Sequence, residues 1–129
     1  MKKQIEDRED LQLLLERFYD QVKQDAVIGY LFNDVAKVDW DKHLPLIVSF
    51  WEQVIFHTGD YRGNPMLAHK KLHQLSPLKP EHFDRWLELF LHTLDGLFEG
   101  QNAELARQRA MSIATMMRIK VLHDGIPVA

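Results

Sequence analysis

An all-α fold of one domain follows from three features of this 129-residue chain. Apolar residues recur at i, i+3, i+4 and i+7 through most of it, and no stretch sustains the period-two alternation of a half-buried strand. Helix start and stop signals punctuate that pattern at intervals that fit six or so helices of unequal length. The length is that of one domain, and no repeat, low-complexity tract or long linker divides it.

The first helix lies behind an acidic turn at Glu6–Asp10 and carries Leu11, Leu14, Leu15, Phe18 and Val22 on one face. A break around Gln24–Asp25 precedes a short helix with Val27, Ile28, Leu31 and Phe32. Asp39 or Asp41 caps a third, in which Leu44, Ile47, Trp51, Val54 and Ile55 share a face. Pro45 inside that segment requires either a kink or an irregular first turn. His57 to Asn64 reads as a loop punctuated by Gly59 and Gly63. Asn64–Pro65 then opens a short helix that fades near Ser76–Pro77. The strongest pattern starts at Pro80–Glu81, runs through Phe83, Trp86, Leu87, Phe90, Leu94, Leu97 and Phe98, and stops at Gly100. Gln101 or Asn102 opens the last helix, with Ala106, Ala110, Ile113, Ala114, Met117 and Val121 on one side as far as Gly125 and Pro127.

Composition excludes several functions. A content of 46% hydrophobic and 27% charged residues is globular, and a chain of this length buries roughly two-thirds of its unfolded surface. Net charge is −3 with seven His taken as neutral, so no basic excess exists to neutralise phosphates and a dedicated nucleic-acid binder is not expected. Cysteine is absent, which removes disulfides, thiolate metal sites, thiol nucleophiles and iron–sulfur clusters, and points to a reducing, cytoplasmic home. The polar stretch after Ile5 leaves no room for the apolar segment of an export signal. The longest apolar run, Leu44–Trp51, is far short of the ~20 residues of a membrane helix, so no membrane partner is expected.

Seven His and thirteen aromatics (seven Phe, three Trp, three Tyr) stand out in so short a chain. His92 and His123 fall on polar helix faces, while His57 in its loop and His82 in a first helical turn read as surface residues. His69 and His73 differ, because HKKLH sets two imidazoles four residues apart on one helical face. The zincin pattern needs Glu where Lys70 stands, and none of the seven His has a Glu three residues before it, as carboxylate-bridged di-iron bundles require. No nucleophile elbow and no Gly-rich phosphate loop is present. Two readings of the residues remain open. Phe18, Phe50, Trp51, Phe83, Trp86, Phe90 and Phe98 either pack an ordinary helical core, or some of them wall a flat apolar slot for haem. A haem-free interaction module is the contrasting function, its last helix docking a partner through Met111, Met116 and Met117; a gas or redox sensor is its variant.

The order of certain strings adds to the spacing. ERFYDQV, GYLF, DWDKHLPLIVSFW, YRGNPMLAH and EHFDRWLELFLHTLD, followed by AELARQRAMSIATMM, resemble the group III truncated haemoglobins over about Glu9 to Met117. The resemblance implies a truncated globin fold, with helices packed two over two around haem b. It implies distal roles for Tyr19, His43 and Trp86, with Phe32 on the porphyrin, Phe50 and Trp51 in support, and Phe83 among the cofactor-facing residues. Counting from the Gly-x-Pro motif gives His69 as the iron ligand, and counting back from the next helix gives His73. Arg62, Lys70 and Lys71 are the propionate candidates.

The chemistry implied is that of a monomer that binds oxygen and related diatomics. Oxygen gains negative partial charge on ferrous haem, so buried donors hold it tightly and release it slowly. Slow release suits peroxidase-like turnover on peroxide or nitric oxide oxidation better than delivery. Either cycle needs an outside reductase, since the chain has no flavin or nicotinamide motif.

Overall fold

A computed structural model describes residues 2–58 and 78–125, with the backbone alone for 120–125. Four α-helices carry the described fold: α1 (Arg8–Gln24), α2 (Trp40–Phe56), α3 (Pro80–Leu97) and α4 (Gln101–Gly125). Between α1 and α2 lies a short helical segment whose main part, Leu31–Val35, is π-helical. The helix expected after Asn64–Pro65 lies outside the described residues. Among those residues the one extended pairing is an isolated parallel bridge between Lys3 and Phe98.

Each helix starts where local chemistry supplies a partner for its first amides. Asp7 caps α1 by accepting from the Asp10 amide, and Asp39 caps α2 by accepting from the Asp41 amide. Pro80 opens α3, where its missing N–H costs nothing. Pro45 neither ends nor interrupts α2. It leaves the Asp41 carbonyl without an amide four residues on, and both residues are exposed to water in the helix's first turns.

Packing follows the apolar faces. α1 lies against α2 and α3, α3 against α4, and α2 touches α4. Leu11, Leu14, Leu15, Phe18 and Val22 of α1 are all fully buried, each contributing about 1.5–3 kcal/mol by leaving water. Polar clamps fix the helices laterally. Arg8 donates to the Ser49 hydroxyl and the Glu52 carboxylate of α2, and Gln21 donates to the buried Thr93 hydroxyl of α3 at 3.0 Å. The N-terminal strap is pinned at the α3–α4 corner, where Gln4 accepts from the Asn102 amide and Asn102 donates to the Ile5 carbonyl. Gly100 turns that corner with φ +106°, and a Cβ there would lie 2.8 Å from the Gln4 side-chain oxygen.

The turn after α1 is equally specific. Asp25 accepts from the Val27 and Ile28 amides through one carboxylate oxygen and from Arg85 of α3 through the other. Gly29 follows, and a Cβ there would stand 3.0 Å from each of the Val22 and Lys23 carbonyl oxygens. Backbone at both contacts cannot swing aside, so Gly29→Ala is expected to cost about 1–3 kcal/mol. A chemical denaturation midpoint unchanged from wild type would contradict this.

Two expectations are corrected. His82, read as a surface residue, is only 7% exposed, because the α3 N-terminus is buried against the turn after α1. The face assigned to partner docking on the last helix is divided: Met117 is buried in the core while Met111 and Met116 are exposed. No helix among the described residues is long and apolar enough to cross a membrane.

Candidate functional site

Tyr19 and Trp86 form the centre of the site. Tyr19 sits on α1 next to Phe18, and the helical period that sends Phe18 into the α1–α3 core sends Tyr19 toward Phe32 and Trp40. Its ring lies 5.9 Å from Phe32 and 5.0 Å from Trp40, centroid to centroid. Burial pushes the Tyr19 hydroxyl up to about 12, against the opposing influence of the Trp86 indole. The phenol is therefore neutral throughout the physiological range. An indole N–H can only donate, so in any bond between the two side chains Trp86 is the donor and the Tyr19 oxygen the acceptor. The Tyr19 proton is then left for a further acceptor.

The neighbouring wall comes from α2. His43, Leu46, Ile47 and Phe50 follow one another at i, i+3, i+4 and i+7, hence on one face. His43, Ile47 and Phe50 are half-buried, and Leu46 is 56% exposed. The His43 imidazole meets the Trp40 indole edge to face at 5.8 Å, and Trp40 in turn touches Tyr19 and stacks near-parallel on Phe32. An open apolar helix face beside a buried hydroxyl suits a flat apolar group with a small polar ligand on one side. Haem is a group of that chemistry. Among the described residues no three of His, Asp or Glu converge on a point.

The remaining candidates divide. Trp51 is 3% exposed and stacks on Phe90 at 5.0 Å in the core between α2 and α3, with Phe50 5.7 Å away on its other flank. Phe83 is also buried, in the first turn of α3. Arg62, His69 and His73, with Lys70 and Lys71, lie outside the described residues. Trp40 is the residue that sequence reasoning missed. Its signal was present, since it stands three residues before His43 at the start of the same helix.

Among the described residues, then, four main helices place Tyr19, Trp40, His43 and Trp86 in one region, and the comparisons with known proteins give the class of fold. A family model described as bacterial-like globin matches residues 3–122. The chain is 32% identical over 118 residues to a group 3 truncated haemoglobin of Campylobacter jejuni, covering 89% of this chain and 91% of that protein. A crystal structure of group III truncated haemoglobin from Campylobacter jejuni superposes with a TM-score of 0.81 at 31% identity, covering 94% of this chain and 95% of that one. A 2/2 haemoglobin from Synechococcus sp. PCC 7002, solved in the cyanomet state with covalently attached haem, superposes at 0.73 with 24% identity, covering 90% of this chain and 92% of that one, which speaks for the fold. This chain belongs to the group III truncated haemoglobins, within the bacterial-like globins.

Proposed function

We propose that this globin binds haem b and holds oxygen and related diatomics against the Tyr19 hydroxyl. The observation that carries the reading is the buried Tyr19 hydroxyl with the half-buried Trp86 indole acting on it. Trp86 can act on the Tyr19 oxygen only as a donor, so the Tyr19 hydroxyl keeps its own hydrogen for a ligand. Donation to a ligand with negative partial charge is the strong kind of hydrogen bond, and the surrounding Phe32 and Trp40 rings exclude the water that would compete for it. His43 adds a second polar group from α2, able to donate or accept according to tautomer. Haem would supply the ligand-binding iron and its redox chemistry.

Strong retention of the ligand favours chemistry on it over delivery, so peroxidase-like or nitric-oxide-oxidising turnover is the activity this site serves, with a separate reductase as electron source. The Cys-free, monomeric chain would work in the cytoplasm. The iron ligand is an imidazole of the HKKLH segment, His69 by the count from Pro65 and His73 by the alternative count.

An absorption spectrum of the protein supplied with haemin tests the reading. A strong Soret band is expected, and a colourless protein sinks it. His69→Gly is expected to lose the proximal bond while His73→Gly keeps it. The reverse pattern transfers the role to His73.

A further inference from the structure

His82 is buried yet belongs to neither the core nor the ligand wall. It occupies the third position of α3, where its Nδ1 accepts the Lys79 amide hydrogen at 3.0 Å. With Nδ1 used as an acceptor the ring proton must sit on Nε2, which lies 3.3 Å from the Tyr30 hydroxyl oxygen and donates to it. Tyr30 belongs to the segment that begins at Asp25, and Asp25 is bonded to Arg85 one turn further along α3. Two ties on successive turns thus hold the start of α3 to the turn after α1. Trp86 follows Arg85 directly and lies four residues from His82, on the same helical face.

We infer that His82 is a positioning residue for the ligand site, whose neutral imidazole holds the start of α3 so that Trp86 meets Tyr19, and whose protonation loosens that contact. This rests on the reading of the Tyr19–Trp86 pair given under Proposed function. The imidazolium has two N–H donors and no acceptor, so protonation sets Nδ1–H against the Lys79 N–H and breaks the cap. It also places a positive charge at the positive end of the helix dipole. The first turn of α3 must then rearrange.

The groups acting on His82 are few among the described residues. Tyr30 faces it from the Asp25–Tyr30 segment, and on its own helix Glu81 favours the charged ring while Lys79 opposes it. Burial is the largest influence and holds the imidazole below its usual 6.5. The second tie does not titrate in the same range. Burial works to raise Asp25, but the bonds from Arg85, Ile28 and Val27 outweigh it and keep the carboxyl below its usual value. The Arg85–Asp25 pair therefore remains as a pivot when His82 takes up its proton.

The test uses the full chain in its diamagnetic ferrous carbonyl form. Nitrogen-15 spectra follow the His82 ring and the Trp86 indole N–H as pH falls from neutral, and oxygen dissociation is timed at the same pH values. The Trp86 resonance is expected to move with the His82 titration, at a midpoint below 6.5, and the oxygen off-rate to rise with it by about tenfold, the equivalent of one hydrogen bond. His82→Gln supplies an acceptor for the Lys79 amide, as in a capping box, but cannot titrate. In that variant the Trp86 resonance should keep its neutral position and stay flat through the range. Tyr30→Phe removes only the hydroxyl, and should shift the Trp86 resonance at neutral pH part-way to its acid position. A Trp86 resonance that still moves in His82→Gln, or that stays still while wild-type His82 titrates, overturns the inference. A colourless chain instead overturns the ligand-site reading on which it rests.

Discussion

Tyr19→Phe is expected to speed oxygen dissociation by roughly 10- to 100-fold, the factor for losing a charge-assisted hydrogen bond worth about 1.5–3 kcal/mol. The substitution keeps the ring that packs on Phe32 and Trp40 and removes only the oxygen. Its effect extends beyond that donor, because the oxygen on which the Trp86 indole acts is lost in the same step. Trp86 is half-buried, so it can turn toward the ligand or toward water and recover part of the loss. Trp86→Phe is accordingly expected to have the smaller effect, since the Tyr19 hydroxyl can still donate. Combining the two changes should cost less than the sum of the single effects, as for any pair joined by a direct bond. Stopped-flow displacement of oxygen by carbon monoxide measures all three variants. An off-rate unchanged in Tyr19→Phe would remove the hydroxyl from the ligand site.

The backbone plan was legible because its signals are local. Asp7, Asp39 and Pro80 start helices by chemistry that reaches three or four residues, and the Asp25 break is set by its own bonds to Val27 and Ile28. The strong apolar period of α3 likewise needs no partner to be recognised. What sequence could not show are contacts between distant residues. His82 sits among Pro80, Glu81 and Asp84, a polar neighbourhood that reads as solvent, and its burial depends on Tyr30, 52 residues earlier. Trp86 was legible as a donor, but that it acts on Tyr19 follows from the packing of α1 on α3. Trp51 shows the two kinds of reading apart. Its spacing with Val54 and Ile55 puts it on a core face, where it stacks on Phe90, whereas resemblance had set it in support of the cofactor. Trp40 was less legible, because as the first residue of its helix it has no periodic context before it.

Phe90→Ala is expected to be the most damaging single change to stability, at about 3–5 kcal/mol. The ring is fully buried and, among the described residues, touches three other aromatics: Phe18 edge-on at 5.3 Å, Trp51 near-parallel at 5.0 Å, and Trp86 near-parallel at 5.7 Å. Removing it opens a cavity at the junction of α1, α2 and α3, which the flat faces of two indoles cannot fill without leaving their present stacking. A loss of this size is a large part of the 5–15 kcal/mol that stabilises a typical domain. It differs in kind from the loss in Tyr19→Phe. Trp86 rests on Phe90, so the alanine variant should lower the unfolding midpoint and raise the oxygen off-rate together, whereas Tyr19→Phe should raise the off-rate with much less effect on the midpoint. Phe90→Leu separates the two causes, since it restores most of the apolar volume without the flat surface. Its midpoint should recover most of the way toward wild type. If its off-rate stays high, stacking of Phe90 on Trp86 holds the indole in place; if the off-rate also recovers, bulk alone does. Thermal unfolding and ligand displacement on the same preparations decide between them, and an alanine variant with a wild-type midpoint would refute this account of the core.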